Sequence, residues 1–384
     1  VFLSFAQGSI FKDTTGTPCP IHSTYNKTWQ HIDFEKQRCY LHCKTPLIKT
    51  TEGTILMLAV PWARTGSRFS WSFEFHVMQE IKKGTSLDAV GALFGKTSPR
   101  IWTIFNGWIN AAYAKSVIDT KLSAIGIDEI TDQAKRQQIT VTIDLKNERV
   151  IRITKEVGKK ALQDMRNYLV SKGIPPEQIK HVSGPLPKIN ESHRSSPFAE
   201  DVKTCFSNAE YHVDRLYIIE LLNKAMDQVR KKVTKGTQET KDLTESRYLF
   251  VKPPTLLSVE QKEKVHKLSA QFPIVGKAYE LKTAFSTLWG QSSLQATETF
   301  LESWCQEVSQ DRLSLLKPAA ELLKTEKKHI VRFLDLPADS SVMEKIHENI
   351  LATTKRNKGF KSFENASNMI LFFCGKLTFP YIES

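Results

Sequence analysis

Between Thr17 and Trp62, apolar and polar positions alternate over short stretches, as at Ile55, Met57 and Ala59, and Pro46, Gly53 and Pro61 interrupt them. That period of two predicts short strands joined by turns. From Ser72 to Tyr113 the spacing lengthens to a helical one. Leu87, Val90, Leu93 and Phe94 mark one helix, Gly95-Lys-Thr-Ser98 a turn, and Ser98 is placed to cap a second helix with Pro99 at its first position. The period then shortens again over 122–128, 139–144 and 149–154, three strands of which the last two form a hairpin through Leu145-Lys-Asn-Glu148. Residues 158–172 are amphipathic, with Leu162, Met165 and Leu169 on one stripe, and Gly173 ends them. Two further strands are expected at 179–183 and 210–213. Beyond Asp214 the pattern is helical almost to Phe333, broken by a polar linker at 231–242. A last helix over about 341–354 and an apolar run at 369–373 are expected to close the fold.

Composition narrows the class. The 384 residues carry 54 Lys and Arg against 41 Asp and Glu, a net charge of +13, and 40% of them are hydrophobic, enough for real cores. Excess positive charge with 10% aromatics points to a polyanionic partner, most simply nucleic acid. No apolar run approaches the ~18 residues of a membrane helix. The six cysteines lack the dense spacing of a secreted disulfide scaffold, and no charged segment precedes an apolar one at the start, so a cytoplasmic, nucleoid-associated protein is expected.

Three groups of residues carry candidate chemistry. In a helix-turn-helix, Thr97, Ser98, Arg100 and Thr103 would face the major groove; an ordinary helical hairpin is the alternative. Cys19-Pro-Ile-His22 has the spacing of a zinc ligand pair, whereas Cys39 and Cys43, four apart in an alternating strand, are less suited to a tight turn. Asp128 at a strand end, a second acid after the fourth strand, and Glu344 on a late helix would suit two divalent cations. Taken singly, each acid is as well explained as a turn former or a solvated helix position.

These segments resemble the DDE insertion-sequence transposases of the ISL3 family. The resemblance runs through Thr28-Trp-Gln-His-Ile-Asp33, Val60-Pro-Trp-Ala-Arg-Thr-Gly-Ser-Arg-Phe69, Ile125-Gly-Ile-Asp-Glu129, 217–230, 257–264, Lys277-Ala-Tyr-Glu-Leu-Lys282, 355–365 and Phe373-Cys-Gly-Lys-Leu377. It implies a multidomain α/β plus α protein: a zinc-ribbon-like β module at 1–70 and a helix-turn-helix at 71–120. A ribonuclease-H-like catalytic core at 121–230 would be interrupted by an all-helical insertion at 231–335 and completed by 336–384 with its final Glu helix. It implies Asp128 and Glu344 as catalytic, Mg- or Mn-binding acids, zinc at Cys19 and His22, and DNA contacts at Ser98, Arg100, Thr103, Lys355 and Arg356. The implied partner is double-stranded DNA, both transposon ends and target, bound by a homo-oligomer. The sequence departs from the family pattern where it matters most. The middle Asp is replaced in Val182-Ser-Gly-Pro185, the Asp-x-x-His motif reads Asp214-Arg-Leu-Tyr217, Ser340-Ser341 replaces Asn-Gly, Lys345 stands in place of a Gly, and 49–53 lacks the second zinc pair. Strand transfer is therefore expected to be impaired, the alternative being a catalytically inactive DNA-binding remnant or regulator.

Overall fold

Alternating Thr, Tyr, Trp and Ile positions give the N-terminal part its sheet. In the computed structural model, β1 (Phe2–Leu3) runs parallel to β5 (Tyr40–Lys49), which pairs antiparallel with β4 (Ile21–Gln30) and β6 (Ile55–Met57), while β2 (Phe11–Lys12) pairs with β3 (Pro18–Cys19). The structure describes all residues except 7, 14, 133–136, 188–196, 235–240, 311–312, 340, 358–361 and 380–384. The sheet buries Trp29, Leu41 and Cys43 against Val60 and Ala63 and leaves much of β4 exposed.

The next segment joins the sheet to the helices. The Gln30 amide donates to the Arg68 carbonyl and the Ser70 amide to the Gln30 carbonyl, both at 2.9 Å, so Arg68–Ser70 runs as an added edge beside β4. Ser70 then caps α1 (Trp71–Lys82), its hydroxyl accepting from the Phe73 amide. Helices α2 (Leu87–Leu93) and α3 (Ser98–Lys115) follow, packed through Phe73, Val77, Ile81, Val90, Ile101 and Phe105. The cap of α3 is Thr97, with Ser98 already helical, one residue earlier than expected; both residues suit the role, and Pro is tolerated at either early position. Leu93, expected on the buried stripe, is 64% exposed because α2 ends there.

The chain divides into two compact units: one comprises Val1–Ser116, Arg356–Phe373 and the described end of the chain from Leu377, the other Val117–Lys355 with Cys374–Lys376. The β module and the helix-turn-helix, expected as separate domains, thus form one body. The segment expected to complete the core is also shared out: α15 (Phe363–Cys374) packs on α3 through Phe372 against Phe105, and through Asn365 and Asn368 on Asn106. An apolar run announces that it will be buried, not what will bury it.

In the second unit, β7 (Ala124–Asp132), β8 (Gln137–Asp144) and β9 (Arg149–Thr154) form an antiparallel meander, as expected. After α4 (Lys159–Ser171), β10 (His181–Gly184) pairs parallel to β7; after α5 (Pro197–Cys205), β11 (Glu210–Val213) pairs parallel to β10. Among the described residues the sheet order is β11-β10-β7-β8-β9. Helix α6 (Arg215–Thr234) leads into α7 (Lys241–Glu245), α8 (Arg247–Val251), α9 (Val259–Gln271), α10 (Pro273–Phe285), α11 (Leu294–Gln310), α12 (Lys317–Thr325) and α13 (Lys327–Ile330). Their apolar faces share one continuous interior with the sheet, from Ile125 and Leu162 through Met226 to Trp304 and Val331. Half of the expected linker, 235–240, lies outside the described residues, and the rest is helical, 231–234 in α6 and 241–242 in α7. Helix α14 (Val342–Arg356) lies against β7: a Cβ on Gly126 would collide with the Met343 sulfur, so the strand's lack of a side chain lets the helix approach.

Candidate active site and nucleic-acid interface

Parallel pairing ends β10 at Gly184 and β11 at Val213, level with Ile127 of β7, the edge of an open sheet where ligands bind; β7 itself runs on to Asp132, so Asp128 is mid-strand and not at the strand end expected. Asp128 stands there on β7, fully buried. Pro185 follows β10, its carbonyl accepting from the Tyr211 hydroxyl, and Asp214 follows β11, its amide donating to the Gly184 carbonyl at 2.9 Å. Glu344 and His347 are three apart and share one face of α14. The His347 Nδ1 lies 2.8 Å from Asp128 Oδ2. Burial raises the Asp214 pKa to about 6, and the nearby charges of Asp128 and Glu344 add to the shift. The expected acids, 216 positions apart in sequence (344 − 128), thus occupy one neighbourhood with Asp214.

Each acid is already partnered by the protein. The Tyr217 hydroxyl bonds Asp128 Oδ1 at 3.2 Å, and His347 takes the other oxygen. Burial would lower the His347 pKa, but the Asp128 hydrogen bond and charge hold it above its usual value. Burial together with Asp128 pushes Tyr217 well above 10, keeping it a donor. Asp214 accepts from the Ser183 hydroxyl at 2.7 Å and the Leu216 amide at 2.9 Å. Glu344 Oε1 is 3.2 Å from Arg215 Nε, whose guanidinium also lies over the Trp289 ring; burial raises the Glu344 pKa and Arg215 opposes that shift.

Two divalent cations require several carboxylate oxygens free and converging on the same space. Here both Asp128 oxygens are occupied, Glu344 faces a guanidinium, position 185 supplies no carboxylate, and among the described residues no three His, Cys, Asp or Glu side chains form a group that could hold a metal ion. The residues present do not fit the expected Mg or Mn pair. Sequence reading missed His347 and Arg215, although their spacing from Glu344 and Asp214 carries a weak signal. Ser340 lies outside the described residues; Lys345 is on α14 beside Glu344.

Among the described residues no third His, Cys, Asp or Glu joins the expected zinc pair to make a metal-holding group. The Cys19 thiol on β3 points to the Thr17 carbonyl at 3.4 Å and to Asp13 at 3.8 Å, and His22 is exposed where the β4–β5 register shifts. Cys43 is buried beneath the sheet with Trp29. Spacing put Cys19 and His22 within reach of one ion, but their strands carry them to different surroundings.

In the other unit, Arg100 and Thr103 are exposed on α3 while Ile101 and Phe105 are buried and Trp102 packs edge-on to Phe105. Thr103 donates its hydroxyl to the Pro99 carbonyl at 2.9 Å. The Ser98 hydroxyl is taken by Asp88 of α2, so it braces the turn. Lys355 is exposed, and Arg356 lies over the Phe373 ring at 5.3 Å.

Comparison with known proteins gives this arrangement a family. A family model described as a transposase matches residues 125–370, and one described as the helix-turn-helix domain of transposase family ISL3 matches residues 58–109. The transposase for insertion sequence element IS1557 of Mycobacterium tuberculosis, in strains CDC 1551 / Oshkosh and H37Rv, is 21% identical over 373 residues, covering 88% of this chain and 79% of that protein. A chain from the cryo-EM structure of the simian T-cell lymphotropic virus intasome in complex with PP2A regulatory subunit B56 gamma is similar at 11% identity over 45% of this chain and 67% of that one, with a TM-score of 0.18. With one family model spanning more than half its length and a second covering the three-helix segment, the chain belongs to the ISL3 family of transposases, with a helix-turn-helix and a DDE transposase domain.

Proposed function

We propose that this chain binds the terminal inverted repeats of an insertion element as a homo-oligomer, reads them with α3, and carries a ribonuclease-H-like core whose cutting and joining of DNA is impaired. The strand order β11-β10-β7-β8-β9, with three antiparallel strands followed by two parallel ones, supports the core assignment. The single observation that carries the impairment is the environment of Asp128: a proline stands where the middle acid belongs, and His347 and Tyr217 occupy both oxygens of the first. Family chemistry of this class moves phosphoryl groups with divalent metals, and losing one acid from such a set removes most of the activity. The same observation favours a protein that retains its DNA reader without strand transfer and competes with an active relative for the same ends. On this reading it works with the chromosome, as a cytoplasmic, nucleoid-associated protein.

The test has two arms. Binding to duplexes bearing the element's ends should be specific and steeply weakened by salt. Incubation of the same duplexes with Mg²⁺ or Mn²⁺ should give little or no cleavage. Robust cleavage abolished by Asp128→Asn would overturn the impairment, and Asp214→Asn would then locate the substitute acid.

A further inference from the structure

Between the β module and α3, within one unit, lies a cleft of about 490 Å³ lined by Thr28, Tyr40, Arg68, Lys96, Arg100 and Thr103, among others. Arg68, Arg100 and Thr103 are exposed, and Tyr40 is 37% exposed. Two more cations stand at its rim. Arg38 reaches the α2–α3 turn, its guanidinium 3.5 Å from where a Cβ on Gly95 would sit, and Lys27 is close enough to Arg68 for their charges to interact. The acidic residue lining the cleft, Glu74, is ion-paired with Arg64 and accepts hydrogen bonds from Ser67 and Trp108. Asp33 acts on Lys96 only through the field. Among the described residues, no ion pair joins Arg38, Arg68, Lys96 or Arg100 to a carboxylate.

Such a cluster is unfavourable in the free protein. Burial lowers the Lys96 pKa, and Arg100 and Arg38 lower it further; burial and Arg68 do the same to Lys27. Five cations gathered with no carboxylate ion-paired to them among the described residues, on a wall continuous with the exposed face of α3, are complementary to a row of phosphates spaced along a duplex. The wall is also preorganised, because Arg68 is carried on the backbone edge that bonds Gln30 and caps α1. We propose that this cleft seats the sugar–phosphate backbone of the duplex read by α3, so that the β module, through Arg38, Arg68 and Lys27, clamps DNA by charge alone and without a zinc ion. This rests on the DNA-binding reading above and extends it to a surface outside the helix-turn-helix match, since Lys27, Thr28, Arg38 and Tyr40 all precede residue 58.

The experiment measures binding of the full chain to an element-end duplex and to a random duplex, by fluorescence anisotropy from about 50 to 300 mM salt, in buffer with EDTA. Each phosphate contact contributes about 0.9 to the slope of log K on log salt, or roughly eightfold in affinity near 0.1 M. Arg38→Ala with Arg68→Ala should therefore lower the slope by about 2 and weaken both duplexes alike, whereas Arg38→Lys with Arg68→Lys should keep most of the slope. Lys264→Ala, at an exposed position of α9 in the other unit, should change nothing. Arg68→Glu alone, at an exposed site, provides a second variant, and unchanged thermal melting certifies its fold. If the wild-type chain binds duplex and the alanine pair leaves slope and affinity unchanged, the clamp is wrong while the helix-turn-helix reading stands. If binding is lost on adding EDTA, the metal-free clamp is wrong. If the wild-type chain binds no duplex at all, both readings fall together.

Discussion

Glu74 gives the sharpest test of how the first unit is held together. Its carboxylate is fully buried on α1 and accepts from Arg64 Nε at 3.3 Å and Nη2 at 3.2 Å, the Ser67 hydroxyl at 2.5 Å and the Trp108 indole at 2.7 Å. It thereby ties the 61–70 segment to both α1 and α3. Glu74→Gln keeps the shape but removes the charge, and turns an amide NH₂ toward Arg64, which can only donate, together with either the donor-only Trp108 indole or the Ser67 hydroxyl. Breaking a buried ion pair costs about 3 to 5 kcal/mol, and because the Arg64 side chain is 27% exposed and can be partly hydrated, the low end, about 3 kcal/mol, is expected. Urea titration followed by tryptophan emission reads this unit selectively, since Trp29, Trp62, Trp71, Trp102 and Trp108 all lie in it and only Trp289 and Trp304 lie in the other. With a slope of about 2 kcal/mol/M, the midpoint of that transition should fall by roughly 1.5 M. In an Arg64→Met background the same change should cost far less, about 1 kcal/mol, because the stranded charge is gone. A loss below 1 kcal/mol at unchanged slope, or an equal loss in both backgrounds, would refute the reasoning.

Three further outcomes are expected. Glu326 is 2% exposed with Oε2 unpartnered, and burial raises its pKa to about 7. The native state therefore holds a proton that the unfolded chain releases, so stability falls as pH rises from about 4.5 to 7, by about 3 kcal/mol at most. Glu326→Gln should recover most of that in thermal melts at pH 8 and nothing at pH 4. Arg100→Ala should weaken binding to the cognate ends by about 1 to 3 kcal/mol if it reads a base, and equal affinity of wild type and variant would remove it from that role. Pro185→Asp should raise Mn²⁺ affinity, measured by calorimetry, only slightly when introduced alone.

The core strands were legible because their period is local: Val141 and Ile143 on β8, and Ile151 and Ile153 on β9, are buried apolar residues two apart, and the sheet formed where that spacing lies. The cap of α3 was misplaced by one residue because Thr97 and Ser98 are chemically equivalent as caps. The destination of 369–373 and the partners of Asp128 were not legible for a different reason. Phe372 meets Phe105, and His347 meets Asp128, across more than two hundred residues, and no period or spacing encodes such a meeting. For Cys19 and His22 the spacing suits an ion, while strand pairing, which spacing does not encode, puts them in different sheets.

The candidate site can be understood as a set of acids kept together by the protein's own cations. Three carboxylates in one buried neighbourhood repel one another, and burial makes that repulsion expensive. Here the repulsion is relieved by His347 on Asp128 and Arg215 on Glu344, with neutral donors from Ser183 and Leu216 on Asp214. Replacing Pro185 adds a fourth acid without removing His347 or Arg215, so an incoming divalent ion would still have to displace the 2.8 Å His347–Asp128 hydrogen bond and a guanidinium seated on Trp289. Pro185→Asp combined with His347→Gln and Arg215→Gln should therefore bind Mn²⁺ more tightly than Pro185→Asp alone by at least an order of magnitude, and without Mn²⁺ the triple variant should be the less stable of the two. If the single and triple variants bind equally, the internal cations are not what keeps divalent metal out.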